Sequence, residues 1–154
     1  MQEKLLNIYL SGEIHTNWRE SIEEKCTKIN LPISFSSPVT HHENSDDCGV
    51  RILGDESKKF WHDYKGASMN SIRTRTFIEK SDILIVKFGD KYRQWNAAFD
   101  AGIASSLGKS IITLHDVSLD HALKEIDAIA SAICRNEDQV VSTLNYIFNG
   151  DLDF

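Results

Sequence analysis

The chain has 154 residues, 41% of them hydrophobic and 26% charged, which suits one soluble globular domain with a full core and leaves little room for a second. A formal net charge of -6 argues against a nucleic-acid backbone or an anionic membrane as the main partner, because both require clustered Lys and Arg. Cys26, Cys48 and Cys134 make neither a disulfide framework nor a paired zinc spacing, and no apolar run approaches the ~20 residues that span a bilayer, so a reducing, cytoplasmic setting is expected.

Leu5 to Leu10 reads as a short buried strand ending in Ser-Gly, and Thr16 or Asn17 is placed to cap a helix running to about Ile29. Leu31 to Phe35 reads as a second strand, and Pro32 and Pro38 beside it favour a sheet edge. The next stretch, SSPVTHHENSDDCGVRILGDES, is polar throughout. It reads as a long loop, and loops of that size are usually functional or mobile, so it is expected near a ligand or a partner chain. Lys58 to Tyr64 and Ala67 to Lys80 read as two helices, the second with Met69, Ile72, Phe77 and Ile78 at roughly helical spacing.

Ser81-Asp82 opens the clearest strand, Ile83 to Phe88, apolar and β-rich enough to be buried on both faces. The loop GDKYRQW follows, then a helix of mostly small and apolar residues, NAAFDAGIASSLG, closed by Gly108. Ser110 to Leu114 reads as a strand, Leu119 to Ile126 as a helix, Ile129 to Cys134 as a weaker final strand and Asp138 to Phe148 as a final helix. This order is the grammar of an α/β fold: a five-stranded parallel, flavodoxin-like sheet of order 2-1-3-4-5 with helices on both faces. Its switch point lies between the first and third strands, so a ligand is expected beyond Leu10 and Phe88.

Asp100 is the one acid in an otherwise small and apolar helix that should lie against the sheet, where a carboxylate without partners or a task is costly. With Asn96 as the cap, Asp100 falls one turn in, near the positive end of the helix dipole, and is expected to stay ionised. Such a carboxylate can attack an anomeric carbon, stabilise an oxocarbenium ion, bind ribose hydroxyls, or simply be a structural acid at a helix start. Ser11, Gly12, Glu13 and Ile14 form the first strand-to-helix turn, where backbone amides can receive a hydroxyl-rich or anionic ligand. The turn lacks the glycine repeat and the Gly-Lys-Ser/Thr ending of a phosphate loop, and a tight turn that needs Gly12 is the plainer reading.

His41, His42, Asp46, Asp47 and Cys48 are metal-ligand types without a metal-site spacing, so no metal is expected. A solvated loop is the ordinary reading there, and His42 or Asp46 folding over a ligand the sharper one. Arg73 and Arg75 can hold a carboxylate or phosphate bidentately, though such residues more often make surface ion pairs. Trp95 and Tyr92 can stack on a heteroaromatic base or plug a subunit contact.

SDILIV, a loop and FDAGIASSLGKSI resemble the nucleoside 2-deoxyribosyltransferase pattern, with YLSGEI as its opening strand and turn. YLSGEIHTNWRE, HHENSDDCG, NSIRT, FGDKYRQWN and LDHALKEID resemble the YtoQ-like branch of that superfamily over nearly the whole chain. The resemblance implies an enzyme without cofactor in which a carboxylate attacks C1′ of a nucleoside or nucleotide and releases the base. Asp100 stands where the transferases carry a glutamate, one methylene and roughly 1.5 Å shorter. Asp82 matches their strand-end acid, Tyr9 lies near their opening tyrosine that orients the nucleophile, and Gln94 stands where a base-contacting acid would be. The resemblance further implies a homo-oligomer. The rival reading is a non-catalytic nucleoside-binding module that keeps the pocket.

Overall fold

A computed structural model of the chain describes residues 5–152. The first strand, β1 (Leu6–Gly12), buries Ile8, Tyr9, Leu10 and Ser11 completely. Burial of consecutive residues means that both faces are covered, which is the condition of a central parallel strand. β2 (Ile33–Ser36) is its edge neighbour, and on the other side β1 pairs with β3 (Ile83–Lys87), matching Leu10 with Ile85 and Ser11 with Val86. β4 (Ser110–Leu114) and the short β5 (Ala132–Cys134) complete a five-stranded parallel sheet of order β2-β1-β3-β4-β5. This is the expected flavodoxin-like arrangement.

The helices fall on two faces. α1 (Trp18–Lys28) and α6 (Glu137–Asn149) send Trp18, Ile22, Val140 and Leu144 onto Ile8, Leu10, Ile85 and Ile112. On the other face Tyr9, Leu84, Val86 and Ile111 meet Ile78 of α3 (Lys59–Lys80), Ala97, Ala101 and Ala104 of α4 (Trp95–Ser106) and Leu123 of α5 (Asp120–Asp127). Alanines at 97, 101 and 104 let α4 approach the sheet closely, and Gly108 (φ 69) ends it in the left-handed conformation that glycine accepts without strain.

Two expectations are corrected here. The polar stretch after β2 is no loop: α2 (His42–Leu53) occupies most of it and packs on α3, which runs unbroken where two helices were expected. α2 buries only Gly49, so it has no apolar stripe to read. A Cβ on Gly49 would lie 2.4 Å from Lys65 Cβ and 2.6 Å from the Gly66 amide nitrogen, so the crossing depends on a missing side chain. Gly49→Ala is expected to push α2 off α3 and to cost about 1–3 kcal/mol, the range for overpacking. Urea unfolding checks this, and an unchanged midpoint would mean that the two helices do not cross at Gly49.

Candidate active site

Period-2 alternation along β1 turns Tyr9 and Ser11 toward α3 and α4. At the carboxyl edge of the sheet the fully buried Ser11 Oγ donates to Asp100 Oδ2 at 2.6 Å. Asp100 Oδ1 accepts no hydrogen bond among the described residues. One oxygen is pinned and the other is left without a hydrogen-bond partner among the described residues.

Gln94, rather than Asn96, occupies the N-cap position of α4, so Asp100 lies in the second turn, beyond the reach of the dipole's strongest effect. Burial pushes its carboxyl up to about 6, against the lowering effect of the Ser11 hydrogen bond. The helix start is therefore not what governs this group: burial dominates and moves it to about 6, so the carboxylate form expected from the sequence still prevails at neutral pH. Asn96 is exposed one turn ahead of Asp100, inside the helix.

Tyr9 lies beneath this pair. Its hydroxyl is buried and has no hydrogen-bond partner among the described residues; Thr74 of α3 lies beside it without reaching hydrogen-bond geometry. Burial, with a smaller push from Asp100, raises the phenol to about 12 against the lowering effects of Thr74, Arg19 and Arg73. The hydroxyl that orients Asp100 is Ser11, not Tyr9.

The turn after β1 is built by buried groups. Arg19 donates from Nη1 to Glu13 O at 2.6 Å, from Nε to Leu10 O at 3.0 Å and from Nη2 to Gly12 O at 3.1 Å, and Trp18 Nε1 donates to Glu13 O at 2.7 Å. Gly12 has φ 109. The Glu13 carboxylate accepts from the His15 amide and the Thr16 hydroxyl. Burial pushes the Glu13 carboxyl up, but those hydrogen bonds, with Lys87 beyond, outweigh it and hold the group below the usual carboxylate range. Glu13 thus closes its own loop, while Ile14 is exposed beside it. Sequence reasoning missed Arg19, because a buried arginine satisfied by carbonyls leaves no motif.

The other expected residues divide. Arg73, on α3, donates to Ser37 O just past the end of β2 at 3.3 Å and lies over the Phe77 ring at 4.6 Å. Trp95 is exposed at the start of α4, and Tyr92 packs on His15 with ring centroids 4.7 Å apart. His42 and Asp46 pair with one another at 3.1 Å on the outer surface of α2, and no contact among the described residues joins them to Asp100. Asp82 is corrected outright. It precedes β3, at the amino edge of the sheet, and its Oδ2 accepts the Asn7 amide at 2.9 Å. Five residues of strand at about 3.3 Å each separate that edge from the Asp100 edge, so Asp82 is a strand-start cap and no helper to Asp100.

A second polar group lies at the end of β4. His115, fully buried, faces Asp127 with Nε2 at 2.9 Å and the Asp116 carbonyl with Nδ1 at 2.9 Å, and Thr113 donates to Asp127 at 2.8 Å. His115, Asp120 and Asp127 offer ligand atoms within 4.8 Å of one another, but Asp120 is held by Arg135 at 2.6 Å and both histidine nitrogens are engaged. The group pins α5 to the sheet. An open groove of about 530 Å³ runs along β5 and α6, lined by Cys134, Gln139 and Thr143. It is shallow and lies far along the sheet from β1, whereas Asp100 joins a part-buried carboxylate to an unpartnered phenol at the fold's switch point.

Among the described residues no helix is long and apolar enough to cross a membrane. By structure, the chain is similar to a 2-deoxyribosyltransferase from the psychrotolerant bacterium Bacillus psychrosaccharolyticus, at TM-score 0.58 and 17% identity over 90% of this chain and 95% of that one. It is also similar to a conserved protein from Enterococcus faecalis V583, at TM-score 0.65 and 14% identity over 94% and 99% of the two chains. These likenesses carry the fold. By sequence, the uncharacterized protein YtoQ of Bacillus subtilis (strain 168) is 40% identical over 141 residues, 92% of this chain and 95% of that protein. Residues 9–148 match the family described as nucleoside 2-deoxyribosyltransferase YtoQ, and the chain belongs to that family.

Proposed function

We infer that the protein cleaves or exchanges the N-glycosidic bond of a nucleoside or nucleotide, with Asp100 as the carboxylate nucleophile. The observation that carries this is the Asp100 carboxyl itself: part-buried, titrating at about 6, pinned through Oδ2 by Ser11 and open at Oδ1. Oδ1 attacks C1′, the C1′–N bond breaks, and its electron pair leaves with the base, which takes a proton from water. Water or a second base then attacks C1′ and releases the Asp100 carboxylate. The Tyr9 hydroxyl, which lacks a partner, is placed to donate to the sugar or the ester. The Ser11 to Ile14 turn borders the sugar and Trp95 the base. The cytoplasm suits the chain's free cysteines, of which Cys26 is raised by burial to about 11 and inert.

A specific observation favours the binding module as second reading. Gln94 Oε1 accepts the Gly89 amide at 3.1 Å, so the position that carries a base-contacting acid in the transferases is spent on closing a loop. Incubating the protein with nucleosides, 2′-deoxynucleosides and their monophosphates, beside Asp100→Asn, separates the two. Free base that disappears in the variant supports the enzyme. Saturable binding without release supports the module.

A homo-oligomer completes this reading. Trp95 is 74% and Phe99 68% exposed on the helix that carries Asp100, and aromatic side chains of about 150–250 Å² each are rarely left bare on a monomer. Cover by a second copy predicts that the double variant Trp95→Asp, Phe99→Asp sediments as a monomer where the wild type sediments as an oligomer. A monomeric wild type would remove this part of the reading.

A further inference from the structure

We propose that the Asp100 crevice takes a nucleoside 5′-monophosphate in preference to the free nucleoside, with Arg73 receiving the phosphate. This deepens the N-glycosidic reading and rests on it. Tyr9 pairs with Ser36 across β1 and β2, Arg73 of α3 donates to the carbonyl of Ser37 one residue on, and Ser11, two residues beyond Tyr9, holds Asp100 of α4, so a guanidinium and a carboxylate stand at the carboxyl ends of neighbouring strands. The Tyr9 hydroxyl is the only buried side-chain polar atom without a hydrogen bond among the described residues, a donor that a polar ligand group reaching it would satisfy.

Arg73 is held but not spent. Its Cζ lies over the Phe77 ring at 4.6 Å, one Nη2 bond reaches Ser37 O at a long 3.3 Å, and Nε and Nη1 donate to no acceptor among the described residues. Arg75, two residues on, is bound to Glu79 at 2.8 Å, and Arg135 to Asp120 at 2.6 Å. A guanidinium with free donors and no carboxylate has the planar fork that matches a phosphate. The charge balance gives it a reason. In a chain of net charge -6, with Asp100 in the crevice, a phosphate dianion would be repelled unless a fixed cation received it. On the sugar, the 5′ oxygen projects away from C1′, so a ring that offers C1′ to Asp100 on α4 directs its phosphate toward another wall, and α3 carries the cation.

The test compares paired 2′-deoxynucleosides and their 5′-monophosphates on the full chain, reading kcat/KM for base release and Kd by calorimetry. Wild type, Arg73→Gln, Arg73→Lys and Arg75→Gln are measured at low and moderate salt. A monophosphate preference of 10- to 100-fold is expected in the wild type, reduced by salt, kept by Arg75→Gln, weakened by Arg73→Lys and gone in Arg73→Gln. Equal handling of the two ligand classes by the wild type, or a preference that survives in Arg73→Gln, overturns the proposal while the Asp100 reading stands. If neither class is bound or cleaved, the N-glycosidic reading falls and this proposal with it. Thermal unfolding of Arg73→Gln at the wild-type temperature establishes that the loss of preference is local.

Discussion

Asp100→Asn releases no base and unfolds at a higher temperature than the wild type at pH 8. Both outcomes follow from one geometry. Burial raises the Asp100 carboxyl from 3.8 to about 6, so the folded chain binds this proton more tightly than the unfolded chain does. Stability from this group is therefore fully present below about pH 4, declines as pH rises toward 6 and is absent above it. The interval corresponds to at most about 3 kcal/mol, and to on the order of 1–2 kcal/mol once solvent around the part-buried carboxylate is allowed for. Asparagine keeps an acceptor for Ser11 and never ionises, so the variant should gain that amount at pH 8 and nothing at pH 4. Wild-type turnover should fall as pH drops through about 6, where the nucleophile takes up its proton. An amide oxygen does not form the glycosyl ester, and a loss of on the order of a thousandfold or more is expected. Chromatography of free base and thermal melts at the two pH values check both halves. Turnover in the variant well above about a thousandth of the wild-type rate would remove Asp100 as nucleophile, and a variant less stable than wild type at pH 8 would mean that the carboxylate has partners beyond Ser11.

The sheet and the acid were legible because each rests on a strong local signal. β1, β3 and β4 are short apolar runs followed by turns and helices, and their order leaves little choice of topology. Asp100 stood out by being the one charge among small residues. α2 was misread because it buries a glycine rather than an apolar stripe, and α3 was read as two helices with Lys65 and Gly66 between them, although Gly66 serves close packing, with Asp46 O only 2.8 Å from where its Cβ would be. The Asn96 cap failed because the helix starts at Trp95 with Gln94 as its N-cap, two residues earlier. Asp82 could have been placed from sequence, since it precedes its strand and ligands gather at carboxyl ends. The exchange of Tyr9 for Ser11 could not. Alternation puts both on one face, and only the helix position decides which hydroxyl reaches the carboxylate.

Gly12→Ala is expected to lose the fold's functional edge altogether, at a cost of about 3–5 kcal/mol against a total stability of about 5–15. Gly12 has φ 109, a conformation strained for any residue with a Cβ, and the Cβ would lie 2.0 Å from Lys87 O and 2.9 Å from Lys87 C and N. The neighbour cannot yield. Lys87 O accepts the Glu13 amide at 3.0 Å, and β3 is paired on both sides, to β1 and to β4. Nor can the turn retreat, because Arg19 holds the carbonyls of Leu10, Gly12 and Glu13 together. Relief requires breaking that grip, which leaves a buried guanidinium short of acceptors and frees Ser11, one residue back, from its 2.6 Å hold on Asp100. Denaturant unfolding reads the loss directly, and a variant that will not accumulate in soluble form gives the same answer. Where some folded protein survives, the Asp100 titration, followed by carboxyl carbon NMR, should move from about 6 toward the ordinary 3.8 as water enters. A variant with wild-type stability and an unmoved titration would show that the β1 turn does not close on Lys87, and the positioning of Asp100 would need another cause.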